Sequence, residues 1–301
     1  MSAEAIRTEG LAKFYGKQRG VVNLDLSVRT GEIFGYLGPN GAGKTTTIRL
    51  LLDLIRPTAG QATVLGMDST RHSVEINRRV GYLPGELELY EHLTGRALLN
   101  YFGELRGIID WDHARALADR FEVDLDRRIG DLSTGNKQKI GLVQAFMHRP
   151  ALLLLDEPTS GLDPLMRLEF YRLIDEMRAA GHTVFLSSHV LPEVERVADR
   201  VGIIREGRLL VVEEVETLKA RAFRPIEIHF GHPAPAPGTL EGVDGVREAR
   251  FDGSVAHLTV EGSVDSLVKA IAHYEVLRIE SHEADLEEIF LDLYRGGSDG
   301  P

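Results

Sequence analysis

The chain has 301 residues, 43% hydrophobic and 27% charged, with 46 acidic residues against 35 basic ones and a formal net charge of −11. That length suffices for two domains with cores of their own, and that composition excludes a disordered, collagenous or disulfide-stapled chain. The lack of cysteine rules out thiol catalysis and thiolate metal sites, and an acidic balance without a long basic run argues against a nucleic-acid partner.

In chain order, residues 5–30 alternate short β-like runs (Val21, Val22, Leu24, Leu26, Val28) with glycines and read as strands and turns. A strand is expected over 33–37, then a glycine-rich turn over 38–43, then a buried helix from Lys44 to Ile55 running to the break at Pro57. From about 86 to 150 apolar residues such as Leu98, Leu99, Phe102 and Leu105 recur at spacings of three and four, which reads as a helical insertion. Strand-like runs return over 151–155, 183–187 and 200–204, with a helix over 164–180, the pattern of parallel βα units.

A boundary is expected at 220/221, ahead of the sparse, proline-rich stretch 232–238. The remainder, 221–301, reads as a small α+β accessory domain. No apolar stretch approaches the roughly 20 residues of a spanning helix, so a membrane role would have to come through a partner.

Gly38-Pro39-Asn40-Gly41-Ala42-Gly43-Lys44-Thr45 fits GxxxxGK[ST], a loop whose glycines let backbone N–H groups close around phosphates at a helix start. Lys44 would neutralise phosphate charge, and the Thr45 hydroxyl is suited to Mg²⁺. The apolar run Leu152–Leu155 ends in Asp156 and Glu157, at the strand edge where open α/β sheets bind ligands. Asp156 would hold Mg²⁺ through water and Glu157 would polarise an attacking water; a turn with a helix cap is the plainer alternative.

At this point the chain resembles the ABC ATPase family. Leu132-Ser-Thr-Gly-Asn-Lys-Gln-Lys139 is similar to its signature, Ser160-Gly-Leu-Asp163 to its D-loop, His189 to its switch histidine and Tyr15 to the aromatic that stacks on adenine. Ser133 or Thr134 could equally be an ordinary helix cap, and Tyr15 a core residue.

The resemblance covers about residues 4–220 and implies a P-loop NTPase core with an N-terminal antiparallel β subdomain. It implies ATP and Mg²⁺ as cofactors, with Lys44, Glu157 and His189 catalytic, Thr45 and Asp156 on the metal, and Thr46 among the nucleotide contacts beside the loop. Ser133 and Gly135 would meet the γ-phosphate held by a second subunit, in a homodimer or pseudo-symmetric heterodimer. A separate transmembrane permease is the implied partner, docking near 85–91, which puts the chain in the cytoplasm, peripheral on the membrane's cytoplasmic face.

Three positions depart from the family pattern. Thr134 and Asn136 stand where glycine and glutamine are usual, and Gly85 where a glutamine would contact metal and water. Glu86 could take over that contact or be a solvated loop acid. Asp285–Tyr294 resembles the tail of ATP-binding subunits from drug-exporter and antibiotic-resistance transporters, which implies export.

Overall fold

In the computed structural model, β1 (Glu4–Tyr15) and β2 (Gln18–Arg29) pair antiparallel, with Ile6 opposite Val28 and Leu11 opposite Leu24. Their alternating apolar residues bury one face, as a half-solvated antiparallel sheet requires. The structure describes residues 3–107, 110–221, 223–232, 234–236 and 238–281; the expected tail segment Asp285–Tyr294 lies outside them.

β3 (Ile33–Leu37) is buried at every position, as befits an inner strand of a parallel sheet. It leads into α1 (Lys44–Leu51), and β4 (Ala59–Val64) with β5 (Met67–Asp68) completes a four-stranded sheet of order β2-β1-β4-β5. Then come α2 (Ser73–Arg79), β6 (Val80–Leu83), α3 (Gly95–Arg106), α4 (Trp111–Arg120), a 3₁₀ turn (Ile129–Asp131) and α5 (Thr134–Phe146).

Next are β7 (Leu152–Asp156), α6 (Pro164–Ala179), β8 (Thr183–Ser188), α7 (Leu191–Val197), β9 (Arg200–Arg205) and β10 (Arg208–Glu214). The second sheet has the order β10-β9-β3-β8-β7-β6, and β9, β3, β8, β7 and β6 pair in parallel. One core joins the two sheets: Ile6, Leu24 and Val28 share it with Tyr36, Phe34 and Phe185, the last two stacked at 5.7 Å. Full burial of each such side chain contributes about 1.5–3 kcal/mol.

The chain divides into two compact units, Met1–Val212 and Glu213–Pro301. That division falls ahead of the 220/221 boundary expected from sequence and assigns α8 (Val215–Arg221) to the second unit. There β11 (Phe223–Phe230), β12 (Val246–Asp252), β13 (Val255–Glu261) and β14 (Val276–Ser281) form an antiparallel sheet of order β12-β13-β11-β14. Ile228, Phe230, Leu258 and Val260 from the strands pack with Leu267 and Ile271 of α9 (Asp265–Ile271).

The helix after the glycine-rich turn is shorter than read, and the helical insertion starts its first helix later than read. α1 stops at Leu51 rather than Ile55, because Asp53 turns to φ 56°, outside the helical region. Residues 86–94 are not helical: Thr94 caps α3, accepting from Ala97 N, and Gly95 N and Arg96 N reach across to Arg127 and Leu125 carbonyls.

Candidate active site

The carboxyl ends of β3, β7 and β8 are adjacent in the parallel sheet, and each carries part of the site. After β3, the turn 38–43 keeps glycine where backbone crowds it: a Cβ on Gly38 would stand 2.3 Å from Ile204 O, and Gly43 caps α1 at φ 111°. Ala42 is buried, anchored by its N–H to Pro39 O and by its carbonyl to Gly207 N. The first amides of α1 thus face the cleft beyond the turn, a ready anion site.

Lys44 is 6% exposed. Its Nζ donates to Gly38 O (2.5 Å) and Pro39 O (3.2 Å) and stands 3.2 Å from Glu157 Oε1. The last contact is ionic only, since Glu157 Oε1 is shielded from solvent and has no donor aligned on it. Two carbonyls and one carboxylate leave the buried Lys44 Nζ without an aligned ionic hydrogen bond, so it can be drawn to a stronger anion.

Asp156, at the end of β7, is fully buried. Thr45 Oγ1 donates to its Oδ2 at 2.7 Å, and Ser187 Oγ of β8 donates to its Oδ1. Two hydroxyls therefore satisfy a carboxylate that would otherwise be costly to bury. Gly85 lies directly over it: a Cβ there would be 3.1 Å from Asp156 Oδ2.

Glu157 has φ 49°, a conformation that non-glycine residues seldom adopt, held by its N–H to Ser187 O and Oγ, both at 3.2 Å. Its Oε2 is 2.9 Å from His189 Nδ1. Because a carboxylate only accepts, His189 Nδ1 is the donor of this bond. Lys44, Glu157 and His189 thus form a continuous chain of contacts.

An open cleft of about 590 Å³ is lined by Tyr15, Asn40, Gly41, Gly43, Lys44, Thr45 and Thr46, with Arg19, Arg49, Gly85, Glu86 and Glu157. Tyr15 is half exposed, with Lys13 Nζ 5.3 Å from its ring centre, and a Cβ on Gly20 would touch both Tyr15 and Thr46. The Tyr82 hydroxyl has its pKa raised by burial and by the Asp156 charge, with Arg49 opposing. Ser133 and Gly135 lie outside this lining: Ser133 caps α5 through Asn136 N (3.3 Å), and Gly135 packs on the segment after β7, where a Cβ would stand 2.6 Å from Gly161 O.

Residues 21–160 match the family model described as ABC transporter. The chain is 37% identical, over 98% of its length and 99% of the relative's, to the bacitracin transport ATP-binding protein BcrA of Bacillus licheniformis. It belongs to the ABC transporter family.

It is an ATP-binding subunit of that family, with ATP hydrolysis as its reaction. A second relative, the daunorubicin resistance ATP-binding protein DrrA2 of Streptomyces coeruleorubidus, is 34% identical over 97% of this chain and 96% of its own length. A solved ATP-binding subunit of an ABC transporter superposes with a TM-score of 0.67 at 29% identity, covering 71% of this chain and 92% of its own. Among the described residues of this ABC ATPase no helix is long and apolar enough to cross a membrane. Sequence reading missed Ser187 and Arg49; the signal for Ser187 was a hydroxyl directly after the apolar run 184–186 of β8.

Proposed function

We propose that this ABC subunit hydrolyses Mg-ATP between two head-to-tail copies, or between itself and a close homologue, and drives a separate membrane permease that exports an antibiotic or drug. The observation that carries the reading is the linked set Lys44, Glu157 and His189, with Asp156 and Thr45 joined beside it. The named roles of the two relatives, bacitracin transport and daunorubicin resistance, support the cargo class.

The residues present fit Mg²⁺. Among the described residues no group of three or more His, Asp or Glu could cage a metal alone, but one carboxylate and one hydroxyl beside a phosphate site suit an ion that keeps waters and shares phosphate oxygens. Asp156 and Thr45 would hold it, where it would supply charge neutralisation on the phosphates. Lys44 and the amides opening α1 stabilise the negative charge that spreads over the transferring phosphoryl group. Glu157 orients the attacking water with His189 fixing the carboxylate, and the half-exposed ring of Tyr15 offers a face to adenine.

Ser133 and Gly135 lie outside the cleft of their own chain, which is why a second copy enters the reading: the cap of α5 is free to complete the partner's site. Glu157→Gln chain incubated with Mg-ATP should elute as a dimer, and adding Ser133→Arg should abolish that dimer while nucleotide binding persists. A dimer that survives Ser133→Arg would overturn the head-to-tail arrangement. Co-purification of a membrane protein, lost on truncating Glu86–Glu91, tests the permease contact.

A further inference from the structure

Beyond the residues that face the cleft, one carboxylate connects the two strand ends that carry the reacting pair. Glu193, in the first turn of α7, has a side chain only 13% exposed. Its Oε2 accepts from Thr159 Oγ1 at 2.7 Å and from Ser188 Oγ at 3.2 Å. Thr159 follows Glu157 by two residues, and Ser188 immediately precedes His189; both are buried, at 5% and 1% exposure.

Two further bonds extend the junction. Ser188 Oγ also accepts from Val190 N at 3.0 Å, so the same hydroxyl fixes the backbone on both sides of His189. Arg167 of α6, 4.0 Å from Glu193 Oε1, donates through Nε to Leu162 O at 3.1 Å, within the turn that follows Glu157. Glu193 also raises the pKa of Tyr171, after burial the larger cause, as a charged neighbour would.

We propose that Glu193 is a positioning residue for ATP hydrolysis, a single oxygen that ties the segment after Glu157 to the segment before His189 and so sets the His189–Glu157 distance. This rests on the roles given above to Glu157 and His189. A carboxylate that misses its water by a fraction of an ångström loses rate without losing substrate, because neither Thr159 nor Ser188 is among the residues that line the cleft. Glutamine in place of Glu193 keeps an oxygen able to accept both hydroxyls, whereas alanine releases both segments together.

The test is steady-state hydrolysis of Mg-ATP by the full chain. Glu193→Ala should lower kcat about tenfold with KM within about twofold, and Glu193→Gln should restore most of kcat. Thr159→Val and Ser188→Ala, which keep the fold's apolar contacts if Glu193→Ala does not fold, should each lower kcat, and their combination should cost no more than the larger single effect. Wild-type kcat in Glu193→Ala, a parallel rise in KM, a Glu193→Gln as slow as alanine, or full additivity of Thr159→Val with Ser188→Ala would each overturn the proposal. Glu157→Gln measured alongside separates the two failures: if it turns over like wild type, the catalytic assignment itself is wrong, whatever Glu193 does.

Discussion

In the first unit the interior holds Lys44, Thr47, Gln138, Asp156, Ser187 and Ser188, all less than 9% exposed, alongside its aliphatic and aromatic core. In the second, the buried side chains among the described residues are apolar, led by Ile228, Phe230, Leu240 and Val260, and its charged groups pair at the surface, as Arg247 does with Glu261, and Lys269 with Asp265 at 2.5 Å. Burying polar and charged groups costs stability unless each is partnered. A unit that retains them spends folding energy on chemistry; a unit without them is organised for packing. The comparison teaches where substitutions should cost turnover and where they should cost only stability.

The largest effect belongs to the first unit. Glu157→Gln keeps the size and hydrogen-bonding shape of the side chain but removes the charge facing Lys44 and His189, so phosphate release should fall by about 10²–10⁴ while nucleotide binding survives. Turnover near wild type would erase the distinction between the units. In the second unit, Ile228→Ala opens a cavity in a fully buried position of β11 and should destabilise that unit by about 2–5 kcal/mol. Calorimetry should show its transition moving down with kcat unchanged; a collapse of kcat would mean that the cores are not independent.

A smaller effect separates the units by pH. His148, half-buried near Arg106, has its pKa pushed down to about 4 from 6.5 by desolvation and by the Arg106 charge, and its Nε2–H donates to Val80 O at 3.3 Å. Above pH 6.5 both folded and unfolded chains hold it neutral, so it contributes no slope. Between pH 6.5 and 4 only the unfolded chain takes up the proton, so stability falls as pH falls, by roughly 2 kcal/mol at pH 5. Urea unfolding of wild type and His148→Gln at pH 7 and pH 5 should show this slope in the first unit and its loss in the variant.

Smallest of all is Gly85→Ala, whose Cβ would stand 3.1 Å from Asp156 Oδ2. Asp156 is held on both oxygens and can yield only a few tenths of an ångström, so kcat should drop by about two- to fivefold. An increase would show that the glycine weakens this site rather than fitting it.

Much of the first unit was legible because its signals are local. Gly38–Thr45 states its backbone needs in one stretch, and Leu152–Asp156 ends an apolar run on a carboxylate. The resemblance put Thr45 and Asp156, 111 residues apart, on one metal, but the direct hydroxyl–carboxylate bond between them was not legible, nor was the one between Thr159 and Glu193, 34 apart. Only sheet order brings such pairs together. Helix ends failed for a related reason, since the apolar pattern past Leu51 continues to Ile55 although Asp53 has already left the helical region. In the second unit, short strands without motifs permitted a class, α+β, but no register.

Glu157 is the most consequential of the strained positions. At φ 49° it occupies a region where glycine rests without steric penalty and most side chains do not, at a cost on the order of 1 kcal/mol or more. Glu157→Gly would therefore relax the backbone while removing the carboxylate, and a chain selected only for thermal resistance would drift toward it. If Glu157 orients the attacking water as proposed, activity alone opposes that drift, and durability and turnover pull in opposite directions at this one residue.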